Sequence, residues 1–553
     1  MKKHVIRKTD ARPDYIKSNI WLVATRWIEN VYLCLLLCVY PFIIKPGYGV
    51  TSYTKYNFLT GISYGFRLGV IYVPGFVQIG GVLVIIGTIK YIVDTGHDLK
   101  GFIKSIKLSP LDIMVLLYTL SLVISSAVSP YKDELIWGYP TWNMGLASQF
   151  LFVIIYFMIS RFFDLFDLEL LVYAAMLTSA VVFIIGILQR FGVDVFNLYQ
   201  GMKKTRGYLS TIGQTSWFSS YMIIFVILSV FIVWYFDKSN IMYKAGVAHL
   251  IISSVCLVVQ NTDSAFAGLF IALSFFFVWS FDSVERMMAF LETSLIILLS
   301  WRVTGVAQII AGDKAVKLGK LSVFMSQSPL LWVLIGILVF AYLSIRLSAK
   351  KHPAFNMGRY RFFGWIYAGC VVAVIAGLAV YIALNTKKLL PGSWLSKNNY
   401  LLFNRKWGNK RGAILHDTIL SLAAELKADP LRGIFGVGAD QFYHVILDYV
   451  SKWTQKTNPK GVLTNAHNEW LTAFVNFGIF GGLTYIGIFV CSVIRNARHR
   501  RELPYVMAVA GCVAAYMAHN LFCYQQYICT PYIFVVLGLG EQIIRAETAE
   551  KNF

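Results

Sequence analysis

The sequence predicts an all-α polytopic integral membrane protein of about 12 to 14 transmembrane helices, with one large extracytoplasmic loop that itself contains helices. Composition is the first reason: 57% of the 553 residues are hydrophobic and only 14% are charged, far from the balance of a soluble domain. Mean hydropathy is +0.62. The second is spacing, because apolar runs recur at close to the roughly 20 residues that cross a hydrocarbon core. The third is that a single long polar stretch, 386–466, interrupts them late in the chain.

Taken in order, the runs lie near 28–44, 68–93, 111–127, 145–163, 169–188, 215–235, 246–260, 264–281, 287–301, 329–345, 363–384, 469–494, 504–519 and 522–543. The first begins too late, behind too polar an arm, for a cleaved signal peptide, and reads as a retained helix. These runs divide the chain into an N-terminal bundle over 1–385, a loop over 386–466 and a C-terminal helical region over 467–553. Orientation follows from lysine and arginine. Lys2, Lys3, Arg7, Lys8, Arg12, Lys17 and Arg26 mark the N-terminal arm as cytoplasmic. Alternate counting then places the basic turns at Arg346–Arg361 and Arg495–Arg501 on the same side. The stretches 201–214, 301–329 and 386–466 fall outside, with both termini in the cytoplasm.

A formal net charge of +22 exceeds what this bias requires, because the loop is itself basic. Its lysines and arginines, Arg405 and Lys410 among them, read either as attraction to anionic headgroups or as recognition of an anionic substrate. Nucleic acid is excluded as a partner, since no nucleic-acid-binding motif occurs and the cations are spread over both sides. Six of the eight cysteines sit in apolar runs as small hydrophobes; Cys523 and Cys529 read as packing or as a pair. No metal-ligand spacing, phosphate-binding loop or dinucleotide fingerprint appears, so neither metal nor cofactor is expected.

Chemistry concentrates at the loop's end. Asn465-Ala466-His467-Asn468-Glu469 runs straight into an apolar segment, which puts an imidazole, titrating near neutrality, at the mouth of a helix. Such a histidine is either structural or a general base. His467, Leu471, Gly478 and Gly482 stand four, seven and four residues apart, on one helical face, with Gly478 and Gly482 forming a small-xxx-small contact for another helix. Upstream, Leu415, Ile419, Leu422 and Leu426 mark one face of a helix over about 412–427. Arg411 stands at its start, either as a seat for phosphate oxygens or tied to a carboxylate or headgroup. A turn rich in proline and glycine follows, Pro430-Leu431-Arg432-Gly433-Ile434-Phe435-Gly436-Val437-Gly438.

The order Arg411, then this turn with Phe442, then His467-Asn468-x-x-Leu471 with Gly478 and Gly481, resembles the O-antigen ligase and polymerase family. Bacterial O-oligosaccharyltransferases and some teichuronic acid polymerases belong to it too. Arg206-Gly207-Tyr208 through Gln214-Thr215-Ser216 resembles that family's arginine-glycine turn, and Thr262-Asp263-Ser264-Ala265 the polar start of a later span. Two positions depart from the pattern: Thr215-Ser216 replaces a usual asparagine, and Asp263-Ser264-Ala265 a usual serine-arginine.

The resemblance implies transfer of a glycan from a polyprenyl-diphosphate donor to the hydroxyl of a glycan or glycolipid acceptor, at the outer face of the cytoplasmic membrane, without metal or cofactor. Within it, His467 is the candidate general base, and Arg411 and Arg206 the groups that meet the pyrophosphate charge. Gln214, Asn465, Asn468, Lys410 and Arg405 are candidate substrate contacts. The rival class is a transporter or flippase of lipid-linked glycans. Against it, the spans read as nearly free of ionisable residues, apart from Glu292 and Asp112.

Overall fold

The computed structural model describes residues 20–43, 67–68, 71–72, 107–140, 142–198, 208–352, 354–398, 400–449 and 463–551. Helix α1, Ile20–Cys34, continues through a π turn, Leu35–Val39, and a short 3-10 turn. There follow α2 Pro110–Val128, α3 Leu146–Phe162, α4 Leu168–Arg190, α5 Thr215–Tyr235 and α6 Ile241–Gln260. Next come α7 Asp263–Ser280, α8 Val284–Ala311, α9 Lys320–Gln327, α10 Leu330–Lys351 and α11 Arg361–Thr386. The polar stretch holds α12 Trp407–Ala428, α13 Pro430–Phe435 and α14 Phe442–Tyr449. Helices α15 Glu469–His499, α16 Val506–His519 and α17 Thr530–Lys551 complete the chain. Two antiparallel pairs of two-residue strands, Arg67–Leu68 with Ile71–Tyr72 and Tyr208–Leu209 with Gly213–Gln214, are the sheet among the described residues.

Among the described residues, nine helices are long and apolar enough to cross a membrane, and three shorter apolar helices stand at other expected spans. The chain is therefore an all-α protein of the polytopic membrane type. Of the expected span 68–93, residues 68, 71 and 72 lie in the first strand pair, and the remainder falls outside the described residues, as does Arg206.

Local signals set the helix ends. Ser109 and Asp112 form a reciprocal capping box ahead of Pro110, and Asn240, Ser283 and Asp429 cap α6, α8 and α13 through their side-chain oxygens. Three expected boundaries move. The stretch 301–329 is largely helical, because α8 runs on to Ala311 and α9 follows. The last helix starts at Thr530 rather than 522, with Pro531 in its first turn where a missing N–H costs nothing. Residues 520–529 thus form a loop beside the start of α15. Helix α12 begins at Trp407, four residues before Arg411, with Gly408 left-handed (φ 54°) in its first turn.

The core gathers around α5, which is almost wholly enclosed, whereas α11 lies on the outside. Helices α2 and α15 run antiparallel in close contact: a Cβ on Gly481 would meet Ser121, and one on Gly487 would meet Met114. The spans are not free of ionisable groups. Glu29, Asp112, Arg190, His249, Glu469, His519 and Glu541 are all buried. Asp112 finds partners on α3 and α17, His249 on α4, Glu469 on α16 and Glu541 on α15, so a linear reading underrates them. Where α15 ends, Asp112 accepts from Tyr156 (2.9 Å), Arg161 (3.1 Å) and Arg545, while Arg495 pairs with Glu541 at 2.7 Å.

Candidate functional site

The opposite end of the bundle, where α15 starts, holds the residues of interest. Asn465 Oδ1 accepts the His467 N–H at 2.9 Å, and Ala466 N donates to Thr472 Oγ1 at 3.0 Å. These bonds hold a tight turn in which His467 itself is left-handed, with φ 51°. Asn468 then caps α15, its Oδ1 accepting from Leu471 N at 2.8 Å while its Nδ2 reaches the Leu521 carbonyl at 3.1 Å.

The His467 ring is packed edge-on to Tyr524, with centroids 5.3 Å apart. Its Nδ1 is sealed from solvent and has no hydrogen-bond partner, so proton exchange with a substrate falls to Nε2. Burial, reinforced by the Arg411 charge, lowers the imidazole to about 4. Neutral at ordinary pH, the ring can accept a proton. Arg411 is half-buried and its Nη1 donates to the Phe522 carbonyl at 2.8 Å. The 520–529 loop thus supplies both the tether for Arg411 and the ring against His467. Trp142 packs on Tyr524 and on Trp217, at 5.0 and 6.4 Å, extending the aromatic wall.

Beneath this surface lies a polar network that motif reading missed. The buried Glu469 carboxylate accepts from Tyr485 Oη (2.6 Å), Tyr516 Oη (3.0 Å) and Asn520 Nδ2 (2.7 Å). Its backbone N–H donates to the Asn520 carbonyl at 3.0 Å. Asn520 Oδ1 lies 2.8 Å from His519 Nδ1, and His519 Nε2 lies 2.9 Å from Ser219 Oγ. The only sequence signal was an acidic residue opening an apolar run. Cys523 sits 3.6 Å from both His519 Nε2 and Ser264 Oγ, whereas Cys529 donates to the Trp217 carbonyl at 3.0 Å; the two thiols have separate partners and do not pair.

The glycine-rich turn packs its backbone against a break in α15. Gly478 breaks α15, with φ 68° and ψ −172°. This ends the predicted single face through His467, Gly478 and Gly482. The partner at the break is backbone of the turn rather than another spanning helix: a Cβ on Gly478 would meet the Ile434 carbonyl at 2.3 Å, and one on Gly436 would meet the Asn476 carbonyl at 2.3 Å. Gly438 N donates to that Asn476 carbonyl at 2.8 Å, satisfying a group the break has freed. Asp440, buried and also left-handed, accepts from Tyr139 N (2.8 Å) and Met144 N (3.1 Å), and so ties the α2–α3 loop to the same turn. Burial raises its carboxyl to about 8 against the opposing pull of those two N–H groups.

Of the remaining predicted contacts, Gln214 caps α5, its Oε1 accepting from Ser216 N (2.6 Å) and Trp217 N (3.1 Å). Its side-chain oxygen is committed to the backbone, as are those of Asn465 and Asn468, and through Trp217 it positions the aromatic wall. Arg405 is exposed in the turn before α12, and Lys410 lies within that helix. Among the described residues no cluster of three or more histidine, cysteine or carboxylate side chains is placed to hold a metal. Comparison of the chain with models of protein families and with curated proteins gives no match.

Proposed function

We propose that the protein transfers a glycan from a polyprenyl-diphosphate donor to an acceptor hydroxyl, in the manner of the O-antigen ligases its motifs resemble. The observation that supports this best is the meeting of Arg411 and His467, from segments 56 positions apart, in one half-buried site at the end of an apolar bundle. A lipid-anchored donor presents its pyrophosphate at that level. The acceptor oxygen attacks the anomeric carbon, His467 Nε2 takes the hydroxyl proton, and the bond to pyrophosphate breaks. The charge that develops on the leaving group is met by the Arg411 guanidinium, which the Phe522 carbonyl holds in place. Glu469, Asn520 and Asn465 act one step back, fixing the turn and the loop that present the two groups. In this reading the His467 end faces outward across the cytoplasmic membrane and both termini are cytoplasmic. Arg206 is a second pyrophosphate contact.

One observation favours a second reading, transport or flipping of a lipid-linked glycan: α15 is broken within its apolar length and several spans bury ionisable groups. Deleting the gene in its host, then complementing with wild type or His467→Ala, separates the two. Transfer predicts that donor-linked glycan accumulates and that only the wild type clears it. Full-length polymer on the carrier would indicate a ligase and single repeat units a polymerase. Clearance by a normally expressed His467→Ala variant would remove the transfer mechanism.

A further inference from the structure

Helix α12 carries its amphipathicity inside out. Gly412, Ala413, Asp417, Thr418 and Ser421 face the protein, while Ile419, Leu420 and Leu426 are exposed. On the short α13, Leu431 and Ile434 are exposed as well. A helix in a water-filled loop buries its aliphatic face; this one buries its small and polar face.

The exposed face does not end at the loop. Leu426 packs over Gly433, and Phe435 of α13 meets Phe480 of α15 at 6.0 Å. Beside Phe480 and further along α15, the exposed aliphatic residues are Ile479, Leu483, Val490 and Ile494, on a helix of the spanning class. The apolar surface of the loop helices is therefore continuous with that of a span. Depth agrees. Counting about 20 residues back from Arg495 puts the hydrocarbon boundary near Val475, and α13 docks at Gly478, about 13 Å along α15 from its start. Charge agrees too. Among the described residues, the exposed ions around this face are Arg405, Lys406 and Lys427, whereas Asp417 is buried and Glu425 and Asp429 lie against Arg432 at 3.5 and 2.7 Å.

We propose that the α12–α13 hairpin is an interfacial element that docks on the lipid leaflet at the His467 end of the bundle. Its aliphatic face enters the acyl-chain boundary and Arg405, Lys406 and Lys427 lie against anionic headgroups. The loop is then a membrane-seated structure, and Arg411, on the same helix, is held at headgroup height whatever chemistry the site performs.

The test uses the full chain in nanodiscs of phosphatidylglycerol and phosphatidylethanolamine doped with a phospholipid bearing a diazirine on its acyl chain. After irradiation, trypsin releases fragment 412–427 by cleavage after Arg411 and Lys427, and fragment 362–387 from the outward-facing α11 serves as the reference. The expected result is lipid adducts on 412–427 at a yield comparable to the reference. In the double variant Ile419→Asp, Leu420→Asp, the adduct on 412–427 should be lost while that on 362–387 is unchanged. Absence of adducts from 412–427 in the wild type, or undiminished adducts in the double variant, overturns the proposal. Crosslinks from 412–427 to a second copy in place of lipid overturn it equally. Replacing phosphatidylglycerol by phosphatidylcholine should lower the yield on 412–427, and an unchanged yield overturns the headgroup contact.

Discussion

Where α15 ends, the buried Asp112 and Glu541 are each met by opposite charge: Asp112 by Arg161 and Arg545, Glu541 by Arg495. Where α15 begins, the Glu469 carboxylate is met only by neutral donors, and the His467 Nδ1 by nothing. The first arrangement clamps α2, α3, α15 and α17 together through paired charges. The second leaves polar capacity unused in a half-buried place, which a folded protein tolerates where a substrate completes it. Mutations should therefore separate the ends, one answering in stability and the other in activity.

His467→Ala should have the largest effect, a loss of transfer by about 10²- to 10⁴-fold with little change in melting temperature; a large drop in melting temperature would make His467 structural. Next, Arg411→Ala should lower transfer by about 10²- to 10³-fold and should also move the pH profile. The wild-type imidazole, lowered to about 4, is neutral above that value, so the acid limb of kcat/KM should lie near it rather than near the usual 6.5. Removing the Arg411 charge should shift the limb upward, and identical limbs in both proteins would rule out their electrostatic contact.

At the clamped end, Asp112→Ala strands two arginines and should cost about 3–5 kcal/mol of stability, read as a lower melting temperature in detergent, with activity falling only in proportion to folded protein. Gly478→Ala mixes the two responses. A side chain at φ 68° and ψ −172°, a region essentially reserved for glycine, is strained by about 1–3 kcal/mol, and the displaced 434–438 turn should reduce transfer several-fold more than the stability loss explains. The smallest effect is expected at Asp440. Its carboxyl is raised to about 8, so the folded state holds the proton more tightly than the unfolded state does. That contribution is complete below the ordinary carboxylate range and fades as pH rises towards 8. Melting temperatures taken from pH 6 to 8.5 should fall less steeply in Asp440→Asn than in wild type.

The spans were legible because hydrocarbon thickness imposes length and apolarity on each one separately. The Arg411 and His467 pair was legible through a motif. What escaped depended on contacts between distant segments. Glu469 reads as an interruption of an apolar run until Tyr485, Tyr516 and Asn520 are brought to it. Gln214 and Asn468 have the side chains that bind sugars and also those that cap helices, and only the folded chain shows the caps. The spacing of Gly478 and Gly482 fits helix packing, but a positive φ cannot be read from spacing. The leucine stripe of α12 marks a helix face correctly and yet gives no sign of which way that face points.

The break at Gly478 also has a consequence for assembly. The turn at 434–438 leaves the ribosome some 40 residues ahead of the backbone that receives it, at about 5–20 residues per second, and the Phe522 carbonyl that tethers Arg411 follows later still. Upstream spans can settle while both catalytic candidates lack their supports. Competence is thus gained only as the C-terminal segment arrives, and a chain stalled before Asn520 would hold the whole loop and most of its helices without a working centre.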